Sequence, residues 1–118
     1  MGKIARLTDR RDFVRVQSEG RRVRSGHIAV LVLPTPDAPP GSPPRVGFTV
    51  SRKVGNAVVR NRVRRRLREL ARVHSPCLSP SFDYVVIAYP AAADAPFVRL
   101  RDELGDLFAR AGQMAAAR

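Results

Sequence analysis

The chain has no tryptophan, one cysteine, two histidines and only ten acidic residues among 118. Each shortage excludes a class of function. A lone Cys77 cannot close an internal disulfide, and it suits a reducing compartment. With His27 and His74 it makes too small a set for the usual structural zinc site, so no metal-binding residue is assigned. Both histidines are read as surface or loop residues rather than catalysts. No apolar run reaches the length of a membrane-spanning helix. The opening MGKIARLTDRRDF has no apolar core of a signal peptide, so the expected location is the cytoplasm, with no membrane partner. The acids are scattered over apparent surface helices, and no His–Asp or paired-carboxylate constellation stands out, so no catalytic residue is assigned. Against those ten acids stand 22 lysines and arginines, a net charge of +12, which is the balance of a nucleic-acid-binding domain.

The basic residues are concentrated in SRKVGNAVVRNRVRRRLR, from Ser51 to Arg68, with eight cations and no acid. Val59, Val63, Leu67 and Leu70 recur at the spacing of one helix face. Asn61, Arg65, Arg68 and Arg72 point away from that face, and Arg60 and Arg66 flank it. The series Arg60–Arg64–Arg68 and Arg62–Arg66 place like charges at i,i+4, which destabilises an isolated helix. A solvated surface helix mixes its signs; a helix that meets a polyanion need not. Seven of the eight cations are arginine, whose planar fork grips phosphate in two places. Ahead of the helix, Arg45 to Val50 alternates as a strand, with Val46, Phe48 and Val50 on one side and Gly47 and Thr49 on the other. Gly55-Asn56 supplies the turn and the helix cap.

The run from Arg45 through Arg65, with Arg60-Asn61-Arg62 at its centre, resembles the signature of the protein subunit of bacterial ribonuclease P. The resemblance extends to Asp12-Phe13, to the strand Asp83–Ala88 and to a final helix containing Leu107-Phe108, and so covers nearly the whole chain.

The remaining segments follow in order. Residues 8–20 read as a first helix, capped by Thr8 or Asp9 and ended by Gly20 in a left-handed conformation, with Phe13 and Val16 on one side. Residues 27–33 read as a buried strand, and extra edge strands have room in 20–26. The segment 34–44 has six prolines in eleven residues and reads as a stiff loop between strands. A Pro/Ser loop spans 74–82, and Tyr84–Tyr89 is a further strand. Asp94 and Pro96 announce a last helix, whose apolar face is Phe97, Leu100, Leu104, Leu107, Phe108 and Ala111. Gly105 costs that helix about 1 kcal/mol. Residues 113–118 read as frayed. The expected architecture is α+β: one RNA-binding domain over 1–118, a small-sheet sandwich in the order α-β-β-α-β-α. The resemblance implies a ribosomal-protein-like fold with a left-handed strand–helix–strand crossover.

It also implies a function. Such a subunit joins a catalytic RNA that removes the 5′ leader of precursor tRNA with Mg²⁺, and itself supplies no catalytic group or dedicated metal site. Arg52, Lys53, Asn56, Arg60, Asn61, Arg62, Arg64, Arg65, Arg66 and Arg68 would bind RNA. Phe13, Gln17, Thr49, Ser51 and Lys53 would line a leader groove, and no obligate protein partner is implied. The family often has a second aromatic where this chain has Gln17, and a basic residue where it has Tyr89. Two other readings stay open at this point: a structural RNA-binding protein on the same fold, which would carry a long basic extension, and an autonomous nuclease, which would need an acid cluster or a general base.

Overall fold

The computed structural model, which describes residues 4–117, runs β1 (Ala5–Arg6), α1 (Arg10–Glu19), β2 (Arg21–Arg24), β3 (Ile28–Pro34), β4 (Arg45–Val50), α2 (Ala57–Val73), β5 (Phe82–Ala88) and α3 (Phe97–Ala116). The strands form one sheet in the order β1-β4-β5-β3-β2. β4 is parallel to both β1 and β5, while β3 is antiparallel to both β5 and β2. Parallel neighbours need a crossover, and α2 is that of β4 and β5.

Register decides what each face buries. Val86 stands between Val30 and Phe48, and the side chains in phase with it join α2 and α3 in the larger core, with Val63, Leu67, Leu100, Leu104 and Phe108. The alternate residues turn to the opposite face. There Leu31 and Val85 form a smaller core with Val16 of α1 and with Leu7, which follows β1. Helices therefore lie on both faces of a mixed sheet, and the second face carries only one short helix.

Several expectations need correction. β1 and β2 are additional to the expected element order, β2 falling within the 20–26 stretch that had room for it. Gly20 does end α1, but in an extended conformation with φ −73° rather than a left-handed one. It is glycine because a Cβ there would lie 2.5 Å from the Val16 carbonyl oxygen. β5 starts at Phe82, earlier than Tyr84, and ends at Ala88. Pro96, not Asp94, stands at the cap of α3, and Phe97 is exposed rather than part of the apolar face. The tail expected to fray is helical to Ala116 and buries Ala115; Arg118 lies outside the described residues.

The helix glycines prove to be points of close approach. A Cβ on Gly105 would sit 2.9 Å from Cε1 of His74, and one on Gly112 would sit 2.3 Å from the Cys77 carbonyl oxygen. Helix propensity is thus exchanged for contact with the end of α2 and the turn after it. Both histidines lie in loops, as expected, and both touch α3. His74 packs on α3, and Nδ1 of His27 lies 2.5 Å from Oε2 of Glu103 on the same helix.

Candidate nucleic-acid interface

α2 is built to hold charge outward. Asn56 caps it, its Oδ1 accepting from the Val59 amide at 3.0 Å. Val63, Leu67, Leu70 and Ala71 are buried, and Val59 is half-buried. Asn61, Arg65 and Arg68 are exposed, while Arg60, Arg62, Arg64 and Arg66 lie half-buried along the flanks. Nη2 of Arg62 donates to the Ala93 carbonyl at 3.4 Å, and Nη1 of Arg64 donates to Asn61 Oδ1 at 3.1 Å. The Nε atoms of Arg60 and Arg62 are buried without a hydrogen-bond partner. The only acid of the helix, Glu69, pairs with Arg72 at 2.5 Å. Arg60 to Arg68 therefore includes six arginines with no carboxylate partner among the described residues. Their mutual repulsion is left for an outside anion to relieve.

On the opposite face of the sheet, α1 and β4 run in step. Phe13 lies over Gly47, where a Cβ would come 2.4 Å from the ring's Cζ. One turn later Gln17 Nε2 donates to Thr49 Oγ1 at 3.5 Å. Four helical residues advance about 6 Å and two strand residues about 6.6 Å, so the successive pairs stay matched. Ser51 follows two residues further along. Its carbonyl accepts from the Val54 amide at 3.1 Å, closing a 3-10 turn, Arg52–Val54, that exposes Arg52 and Lys53. Phe13, Gln17 and Thr49 thus follow one track beside β4, with Ser51 next in phase along the strand and Lys53 in the exposed turn beyond it.

The two surfaces meet at the sheet edge. β1 pairs only with Arg45 and Val46 of β4. Beside it a cleft opens whose lining includes Phe13, Gly47, Phe48, Arg64 and Arg68. An aromatic from the groove and two arginines of α2 share this one depression. Nothing in a two-residue strand announces itself by periodicity, so the junction was not legible beforehand.

What holds α1 in place is an acid that sequence reading placed at the start of a strand but gave no partner. Asp83 is fully buried. Arg45 donates from Nε and Nη2 to its two oxygens at 2.7 Å each, Thr35 Oγ1 donates at 2.7 Å, and Arg15 of α1 donates as well. Asp12 of the same helix lies 3.3 Å from Arg15 and 3.6 Å from Arg45. Burial pushes the Asp83 carboxyl up, but the hydrogen bonds from Arg45, Thr35 and Arg15 outweigh it and hold it below the usual range. Glu103 is also held low: its burial is outweighed by Ser25 and His27.

A carboxyl held low stabilises the fold fully above its unfolded pKa, about 3.9 for Asp and 4.3 for Glu. That contribution disappears as pH falls through the folded value. Melting temperature is therefore expected to lose this support below about pH 4, and not between about pH 5 and 7. Thermal melts across that range check it. A midpoint unchanged down to about pH 3 would show that these pairs do not stabilise the fold.

Sequence reasoning missed one polar contact on the groove face. Nη2 of Arg22, on β2, donates to the Tyr89 hydroxyl at 2.8 Å, so a guanidinium reaches the place where the family pattern suggested a basic residue. Among the described residues, no group of three or more His, Cys, Asp or Glu is placed to hold a metal ion. Nor is any helix there long and apolar enough to cross a membrane.

Comparison with known proteins identifies the family. The family model described as Ribonuclease P matches residues 1–112. The ribonuclease P protein component of Symbiobacterium thermophilum is 46% identical over 112 residues, 95% of each chain. That of Brucella melitensis biotype 1 is 42% identical over 107 residues, covering 86% of this chain and 76% of its own. The solved Staphylococcus aureus RNase P protein superposes with a TM-score of 0.80 at 29% identity, over 92% of this chain and 96% of that one. The Thermotoga maritima RNase P protein gives 0.77 at 30% identity, over 89% and 96%. The chain belongs to the ribonuclease P protein family, the protein component of the ribonucleoprotein endoribonuclease that matures the 5′ end of tRNA.

Proposed function

We propose that this chain is one RNA-binding domain that holds two RNAs at once. The arginine face of α2, with Arg52, Lys53 and Asn56 ahead of it, docks on the catalytic RNA. The track of Phe13, Gln17, Thr49, Ser51 and Lys53 takes the 5′ leader of precursor tRNA. The observation that carries this reading is the shared cleft of Phe13, Arg64 and Arg68. An aromatic wall, hydroxyl and amide groups and a cationic lip suit an extended single strand, whose bases stack while its phosphates meet charge.

Leader removal is hydrolysis of a phosphodiester, and the groups that activate water belong to the RNA. Mg²⁺ held by that RNA would supply charge stabilisation at the phosphate; among the described residues of this chain no acid cluster is placed to hold it. The chain's own contribution is twofold. Leader contacts fix the scissile bond relative to the RNA, which converts a loose encounter into a positioned one. The arginines lower the repulsion between two polyanions, a task that Mg²⁺ otherwise performs. The setting is the cytoplasm, and no protein partner is required.

Reconstitution tests this. Cleavage by the cognate catalytic RNA at low Mg²⁺ is expected to require the chain, and at high Mg²⁺ to proceed without it. Cleavage by the chain alone would overturn the assignment of the chemistry to RNA. The same complex carries an electrostatic prediction. With about six phosphates neutralised, log affinity against log salt is expected to slope at roughly −4 to −5. A slope near zero would remove the arginine helix as the docking element.

A further inference from the structure

The groove face does not end at Ser51. The register sets Arg24, Ala29, Ile87 and Thr49 in one row across β2, β3, β5 and β4. Thr49 and Ile87 are half-exposed. Beyond that row the Tyr89 amide donates to the His27 carbonyl at 2.9 Å, which continues the β5–β3 ladder by one residue and turns the Tyr89 side chain to the same face. Arg22 stands opposite Leu31, on that face too. Its bond to Tyr89 therefore spans the position of Ala29, which is fully buried and small enough to lie beneath it. Tyr89 is half-buried and Arg22 exposed. No carboxylate among the described residues neutralises Arg22.

Edge strands often carry charge to block pairing with another sheet. That accounts for Arg21 and Arg24 on β2, but not for an arginine laid along the sheet face to a tyrosine hydroxyl. We infer that Arg22 and Tyr89 form a second station for the single-stranded leader, the Tyr89 ring stacking on a base and Arg22 meeting a phosphate. This rests on the leader-groove reading above. Tyr89 lies four residues along β5 from Val85, the partner of Gly47 under Phe13, a separation of about 13 Å. At about 3.4 Å per stacked nucleotide that is on the order of four nucleotides, so both stations act on one strand. The second aromatic missing from α1 at Gln17 is thus supplied from the sheet.

The test uses the reconstituted holoenzyme with an uncleavable precursor carrying a long leader, and with mature tRNA. Tyr89→Ala is expected to weaken precursor binding by about five- to tenfold, within the range for one lost base stack, and to leave mature tRNA unchanged. Tyr89→Phe keeps the ring and should lose less. Arg22→Met should weaken the precursor and flatten its salt slope by about 0.7, one single-strand phosphate. Melting curves show that each variant is folded; should Tyr89→Ala fail to fold, Tyr89→Phe and Arg22→Met decide. Wild-type precursor affinity in folded variants, or equal loss for precursor and mature tRNA, would overturn the second station. Phe13→Leu in the same assay separates the two ideas. If it alone loses leader binding, the groove stands and the Arg22–Tyr89 station falls; if no variant does, both fall.

Discussion

Leu67→Ala is expected to lower the stability of the fold by about 2–5 kcal/mol. Arg65→Ala, two positions earlier on the same helix, should change it by no more than about 0.5 kcal/mol. Leu67 is fully buried in the core that α2 and α3 share against the sheet, so its truncation leaves a cavity that the surroundings only partly fill. Against a total of about 5–15 kcal/mol for a small domain, that loss is large. Arg65 is exposed and makes no ion pair among the described residues; removing it relieves repulsion within the arginine series. Its effect is expected in RNA affinity, with the salt slope flattened by about 0.7–0.9. Denaturant titration and RNA binding on both variants decide the matter. Equal loss of stability would mean that the arginine is structural, and the separation of α2 into a core face and an RNA face would fail. Arg62 is a poorer choice for this test, because it is half-buried and its guanidinium bonds the Ala93 carbonyl.

α2 and β4 were legible because pattern and punctuation coincide there. Apolar side chains recur at helical spacing among unbroken cations, and the strand is bounded by Pro44 and by Gly55-Asn56. Where the reading failed, the deciding contact lay far away in sequence. Asp83 was placed at the head of its strand but given no partner, yet an acid opening an apolar strand is costly to bury unless cations and donors converge on it. Arg45 is 38 residues away and Arg15 is 68. Gly105 and Gly112 read as weaknesses of a helix, because the His74 ring and the Cys77 carbonyl that need the space come from elsewhere in the chain. The tail read as frayed because QMAAAR looks featureless. Ala111 and Ala115 nevertheless extend the stripe of Leu104, Leu107 and Phe108, and alanine is the best helix former. The groove was legible only in part. Strand alternation put Thr49 and Ser51 on one face, but the partner of Gln17, the reach of Arg22 and the edge cleft depend on a sheet order that no local pattern encodes.

Phe13→Leu is expected to weaken binding of leader-bearing precursor tRNA by about tenfold, the effect of 1.4 kcal/mol, with little change for mature tRNA. Phe13 is half-buried, resting on Gly47 and packed against the small core of Leu7, Val16, Leu31 and Val85. It therefore serves both fold and groove, and alanine would confound the two. Leucine keeps most of the apolar contact and removes the π face, which is the part that stacks on a base. Gly47→Ala tests the same idea from beneath. Its Cβ would fall 2.4 Å from Cζ and 2.7 Å from Cε1 of Phe13, and 3.1 Å from Leu7 Cβ. The ring must then swing away from its place in the track, although the aromatic itself is still present. The expected result is the same selective loss of leader-bearing precursor. A folded Phe13→Leu that loses precursor and mature tRNA alike would show that Phe13 acts through the shape of the domain and does not contact the leader. A Gly47→Ala variant with full precursor affinity would show that the position of the ring over β4 does not matter. Either result would remove Phe13 as the first station of the groove and leave the arginine face of α2 as the sole proposed RNA contact of that cleft.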